Sequence, residues 1–169
     1  MDKLDLRFGA VGRMASSHPV VLQNHIMTDK WGRRFFTAGG AMLLLLGLVH
    51  SLSLIQDPVA ANDTERQLLD LMVNYKFNIM GSLRSTTDML RGFSISFMLS
   101  ALGLGVLDLM LARERSALLK RVALINTILL AAMTANCLRY FFVAPTSFLA
   151  ITTVIFALAW LKLPDDGVS

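Results

Sequence analysis

The sequence predicts an all-α membrane protein, a four-helix transmembrane bundle with an amphipathic surface helix between the first and second spans. Three observations carry this. Of 169 residues, 54% are hydrophobic and only 17% charged, against about 25% charged in an ordinary soluble domain. Four apolar runs, at about 35–55, 92–112, 118–138 and 142–161, are each long enough to cross ~30 Å of hydrocarbon at ~1.5 Å per residue. The basic residues gather beside these runs, as orientation signals do, rather than forming a nucleic-acid-binding face, so the net charge of +4 does not imply nucleic acid.

The chain opens on a polar leader, 1–34, containing Pro19, His18 and His25, which reads as a flexible or partner-docked cytoplasmic arm over 1–28. The first span, Phe35 to Ile55, has no charged residue and is too long for the apolar core of a cleaved signal peptide. Asn62 followed by Glu65 resembles a capping box, and Leu68, Leu69, Met72, Val73 and Phe77 recur at helical spacing. A helix from Asn62 to Met80 lying on the membrane surface, ended by Gly81 and Ser82, is therefore expected. The second span carries Asp108, expected in an interfacial salt bridge near Arg113 or close to Lys120, Arg121 or Asn126. Gly92, Ser96, Ser100 and Gly103 form a small-residue stripe expected to pack the bundle with Gly40 and Gly47. Short links at 113–116 and 139–145 make the last three spans antiparallel neighbours, and 162–169 is a short tail.

Lysines and arginines concentrate in the leader and in the 113–121 region, which places both termini in the cytoplasm of a bacterial inner membrane. Trp31 and Trp160 suit the interface on that side. This topology sends His50, Arg84, Asp88, Arg91, Asn136, Arg139 and Tyr140 to the extracytoplasmic boundary. His50 is the most informative of them, because an ionisable group inside a span faces the bundle interior or a wet cavity. It reads either as a proton carrier or ligand contact, or as a ring bonded to a neighbouring helix. Arg84, Asp88 and Arg91, at i, i+4 and i+7, read either as a solvated charge stripe or as a carboxylate pinning two guanidinium groups. Together with Arg139 they would suit an anionic head group, which arginine binds in bidentate fashion.

Negative findings bound the chemistry. Cys137 has no partner cysteine, so an intramolecular disulfide and a thiolate zinc site are excluded. A bis-histidine haem within one chain is excluded too, and no cofactor or metal is expected. No HExxH, Walker or GxSxG pattern occurs. The expectation is a binding or accessory subunit of a larger membrane assembly, with membrane lipid or a partner protein at the polar cluster. The alternative is a small membrane isomerase or transferase acting on a lipid-like substrate, with His50 or Asp88 as acid or base.

Gly47-Leu-Val-His50, Arg84-Ser85 with Asp88, Gly92-Phe93-Ser94, and Leu138-Arg139-Tyr140-Phe141-Phe142 with Pro145 resemble a bacterial family of small four-helix integral membrane proteins of the Leptospira hypothetical-protein type. The similarity covers roughly 36–161. It implies the four-helix fold and no particular activity, and it marks His50, Arg84, Asp88 and Arg139.

Overall fold

The computed structural model describes residues 18–56 and 58–165. Five helices and a hairpin follow in order: α1 His18–Ser53, α2 Asp63–Asn74, β1 Lys76–Ile79, β2 Ser82–Ser85, α3 Thr86–Leu111, α4 Ser116–Tyr140 and α5 Val143–Lys162. The stretch Met27–Ser53 of α1, together with α3, α4 and α5, gives four helices long and apolar enough to cross a membrane. The four long apolar helices expected from the sequence are therefore present. Residues 18–34 of the expected leader continue α1 as helix, whereas 1–17 lie outside the described residues.

The region between the first two spans differs from expectation. Asn62 caps α2 as foreseen, its Oδ1 accepting from the Glu65 N–H at 2.9 Å, while the Glu65 carboxylate accepts from the Ala61 N–H. The helix then stops at Asn74 instead of Met80, and Lys76–Ser85 folds back as an antiparallel hairpin with Ile79 opposite Ser82. The cause is the turn. Met80 and Gly81 both have positive φ, 48° and 88°, as a two-residue turn matched to strand twist requires, and the Asn78 side chain accepts from the Gly81 N–H at 2.8 Å. Gly81 completes a hairpin turn here and does not end a helix. No residue of α2 is buried, and it leans on the start of α3.

The four long helices are not evenly packed. α1 lies along both α3 and α5, and α5 lies along α4, but α3 and α4 make no comparable packing with each other. In cross-section the order is α3, α1, α5, α4, with an open side between the two outer helices. The densest core lies near the α3–α4 link, where Phe36 meets Phe156 edge-on at 5.8 Å beside Leu119, Ala159 and Leu163. Glycine permits this approach: a Cβ on Gly39 would stand 2.6 Å from the Phe156 ring. Gly40 and Gly105 similarly bring α1 and α3 together. The small-residue stripe behaves otherwise. Gly92 and Gly103 face open space, and the Ser96 and Ser100 hydroxyls donate to carbonyls of their own helix. The α1–α3 seam uses the face of Gly105, so the expected packing role passes from Gly92 and Gly103 to that residue.

Polar bonds tie the link end. Arg33 pairs with Asp29 at 3.2 Å and donates to the Glu114 carbonyl at 2.8 Å and to the Ser116 Oγ at 2.7 Å, while the Ser116 hydroxyl donates to Asp29 at 2.5 Å. Lys120 of α4 meets Asp165, beyond α5, at 2.7 Å. The Arg34 guanidinium covers the Trp31 ring at 5.1 Å. This end is a latch, and the opposite end, bearing the hairpin, has no equivalent among the described residues.

Candidate functional site

The uneven packing leaves a cleft of about 540 Å³ between the helices. Leu43 and Leu46 of α1, Phe97, Ser100, Ala101 and Leu104 of α3, Leu129, Leu130 and Met133 of α4, and Leu149 of α5 line it. The lining is apolar but for the Ser100 hydroxyl. Ser100 and Leu129 are exposed, so the cleft reaches the surface on the open side between α3 and α4.

Helical periodicity fixes both ends of the cleft. One turn beyond Leu104 on α3 is Asp108, and about one turn before Leu129 and Leu130 on α4 is Asn126. Both are buried, at 1% and 4% exposure, and the Asn126 Nδ2 donates to both Asp108 oxygens at 3.0 and 2.9 Å. This clasp joins α3 to α4 and forms the floor. The expected interfacial salt bridge is thus replaced by an amide–carboxyl bond inside the bundle. Among the described residues no ion pair to Asp108 forms: Arg113 is exposed on the link, and Arg33 is engaged by Asp29, Ser116 and the link carbonyls.

At the other end, α1 continues its Leu43 and Leu46 stripe to His50, at i, i+3 and i+7. The His50 ring meets Phe97 edge-on, with centroids 4.9 Å apart, and its Nε2 is buried without a hydrogen-bond partner among the described residues. Phe97 itself lines the cleft. His50 therefore stands at the hairpin end of the cleft, joined to its wall through one aromatic contact.

The other six residues of the expected cluster divide by position. Tyr140 shares the α4 stripe of Met133, seven residues on, and Asn136 flanks it; both are exposed. Arg139 stands about 130° round α4 from the middle of the lining stripe, at ~100° per residue. Its guanidinium lies 5.6 Å from the Tyr140 ring centroid. Arg91 is likewise about 125° round α3 from that helix's lining residues, and Asp88 is about opposite them. Axially, Asp88 lies ~13 Å and Arg91 ~9 Å beyond Phe97, at ~1.5 Å per residue. The common pocket of His50, Arg139 and the Arg84/Asp88/Arg91 face is not formed.

The supposed charge stripe is also dissolved by the hairpin. Arg84 belongs to β2, and its guanidinium donates to the Leu83 carbonyl at 3.1 Å. Asp88 does not pin two guanidinium groups. It is the N3 residue of a capping box, accepting from the Ser85 N–H at 3.0 Å while its own N–H donates to the Ser85 Oγ at 3.1 Å. The pattern Ser85-Thr-Thr-Asp88 signals this cap in the sequence. The cleft had a weaker signal: Leu43, Leu46 and His50 share a face, but the gap beside them depends on which helices pack. Among the described residues no group of three histidine, cysteine, aspartate or glutamate side chains is placed to hold a metal ion. No family model, curated protein or solved structure matches the chain.

Proposed function

We propose that the chain is a multi-pass protein of the bacterial inner membrane, with both termini cytoplasmic, that binds a lipid-like molecule in the cleft as the binding or accessory subunit of a larger membrane assembly. The cleft is the observation that carries this reading. Its volume of about 540 Å³ falls within the ~300–1,000 Å³ of small-molecule sites. Its lining is carbon but for Ser100 and opens on the side between α3 and α4, which suits a flexible hydrocarbon chain. The hairpin end is extracytoplasmic in this reading, with α2 lying at the membrane surface.

Gentle detergent purification followed by native mass spectrometry tests it. The expected result is a lipid-sized adduct that is lost in Leu129→Trp, where an indole at the exposed rim fills the cleft, and retained in Leu68→Trp on α2. A chain that carries no adduct, or whose adduct ignores Leu129→Trp, refutes the reading. A second reading, a small isomerase or transferase, draws on the unpaired His50 Nε2 as an acid or base. Chemical conversion of the co-purified lipid by the isolated protein is the outcome that selects it.

A further inference from the structure

We infer that the ligand of the cleft is a long-chain molecule with a neutral oxygen head, an alcohol or carbonyl, held by His50 with its tail running toward the Asp108–Asn126 floor. The inference rests on the lipid-binding reading and specifies the chemistry of the same site. Its first support is polarity along the cleft. The lining from Leu43 to Leu46 and from Phe97 to Leu104 presents carbon and the single Ser100 hydroxyl. The floor is closed by a pair whose groups bond each other, at 2.9 and 3.0 Å. The hairpin end differs: His50 stands one turn beyond Leu46, outside the lining but edge-on to the lining ring of Phe97, and its buried Nε2 has no partner among the described residues. A buried polar atom in this state favours any group that bonds it.

The second support is the placement of charge. Arg91 and Arg139 stand about 125–130° round their helices from the lining stripes, and Arg84 is bonded to its own strand. A carboxylate or phosphate seated beside His50 would therefore enter an apolar site without a guanidinium and would bear most of its desolvation cost. A hydroxyl or carbonyl loses far less on burial, and one imidazole bond offsets that loss. Phe97, edge-on to His50 at 4.9 Å, restrains the ring beside the cleft wall.

Three probes with one hydrocarbon chain separate head from tail: oleyl alcohol, octadecene and oleate, each titrated against the purified full chain in detergent micelles. Oleyl alcohol is expected to bind roughly threefold to tenfold more tightly than octadecene, the ratio of one hydrogen bond, and more tightly than oleate. His50→Phe should abolish the difference between alcohol and alkene while leaving octadecene bound. Should that variant fail to fold, the imidazole ¹⁵N resonances of the native chain supply the answer, since oleyl alcohol should shift Nε2 and octadecene should not. Equal binding of all three probes, or an alcohol preference that survives His50→Phe, overturns the inference and leaves the lipid-binding reading intact. Tightest binding of oleate, lost in Arg139→Ala, overturns it in favour of an anionic head. Failure of every probe to bind removes the lipid-binding reading itself.

Discussion

At the residue scale, single atoms decide which polar groups this bundle can bury. Asp108 is 1% exposed, yet among the described residues no cation pairs with it; the amide of Asn126 serves both of its oxygens. Removing one partner strands the other, so Asp108→Ala and Asn126→Leu should each destabilise the protein, by about 1–3 kcal/mol. Their coupling in a double-mutant cycle should be smaller, about 0.6 kcal/mol and at most ~1.7, because groups freed inside a membrane find other partners. Reversible unfolding in mixed micelles measures both, and additive effects would show that the clasp holds nothing. Gly39 makes a sterically sharper case. Gly39→Ala places a methyl group 2.6 Å from the Phe156 ring, and overpacking of this kind costs about 1–3 kcal/mol. Trimming the ring by Phe156→Leu should recover part of that loss, whereas an unchanged deficit would locate the strain elsewhere. The sequence offered Asn126 as one of several neighbours for Asp108, beside Arg113, Lys120 and Arg121, and favoured a salt bridge. It did not mark their burial, which depends on Gly40 and Gly105 drawing α1 against α3 so that Asp108 turns away from solvent.

At the element scale, the start of α3 shows how one motif supports two readings. Arg84, Asp88 and Arg91 have helical spacing, but Ser85 ends a strand and begins a helix, so Arg84 never joins the helical face. A capping box predicts a different pattern of losses from a charge triad. Ser85→Ala should cost about 0.5–2 kcal/mol and Asp88→Ala should lower stability in the same direction, while Arg84→Ala and Asp70→Ala on α2 should be nearly neutral. Thermal unfolding of the four variants discriminates, and a loss at Arg84 equal to that at Asp88 would restore the charge triad. The hairpin was concealed for a related reason. Lys76–Ile79 is only four residues long, and the apolar positions Leu68 to Phe77 fit a helix across the true boundary at Asn74. The deciding feature is the Met80–Gly81 turn, whose glycine at φ 88° also resembles a helix terminator in sequence. The long spans, by contrast, were legible because lipid demands continuous apolar runs of about 20 residues, and no tertiary contact is needed to see them. Their ends were not, since hydropathy is silent about where a helix continues past the apolar run, as α1 does back to His18.

At the scale of the whole molecule, the bundle is strong at one end and loose at the other. Near the α3–α4 link, Arg33 bonds Asp29, Ser116 and the link carbonyls, Lys120 holds Asp165, and Phe36, Leu119, Phe156 and Leu163 are nearly or fully buried. Toward the hairpin, Leu90, Phe93 and Leu99 of α3 and Leu138 and Tyr140 of α4 are exposed, and beyond the Asp108–Asn126 clasp the cleft separates these two helices. Sequence hydropathy could not reveal this gradient, because residues facing lipid and residues facing one another are equally apolar in a membrane. The consequence is kinetic as well as structural: local opening follows the fewest buried contacts, so the hairpin halves of α3 and α4 should part before the latch does. Hydrogen exchange in micelles should therefore find the amides of 88–100 and 131–140 less protected than those of 34–46 and 148–160, which belong to the two central helices. Oleyl alcohol should raise protection at 97–104 and 129–133, beside the cleft, and leave the latch unchanged, since a ligand stabilises the state that binds it. Uniform protection along all four helices, before and after the alcohol, would mean that the cleft is as tightly held as the core and would remove the route by which a lipid enters between α3 and α4.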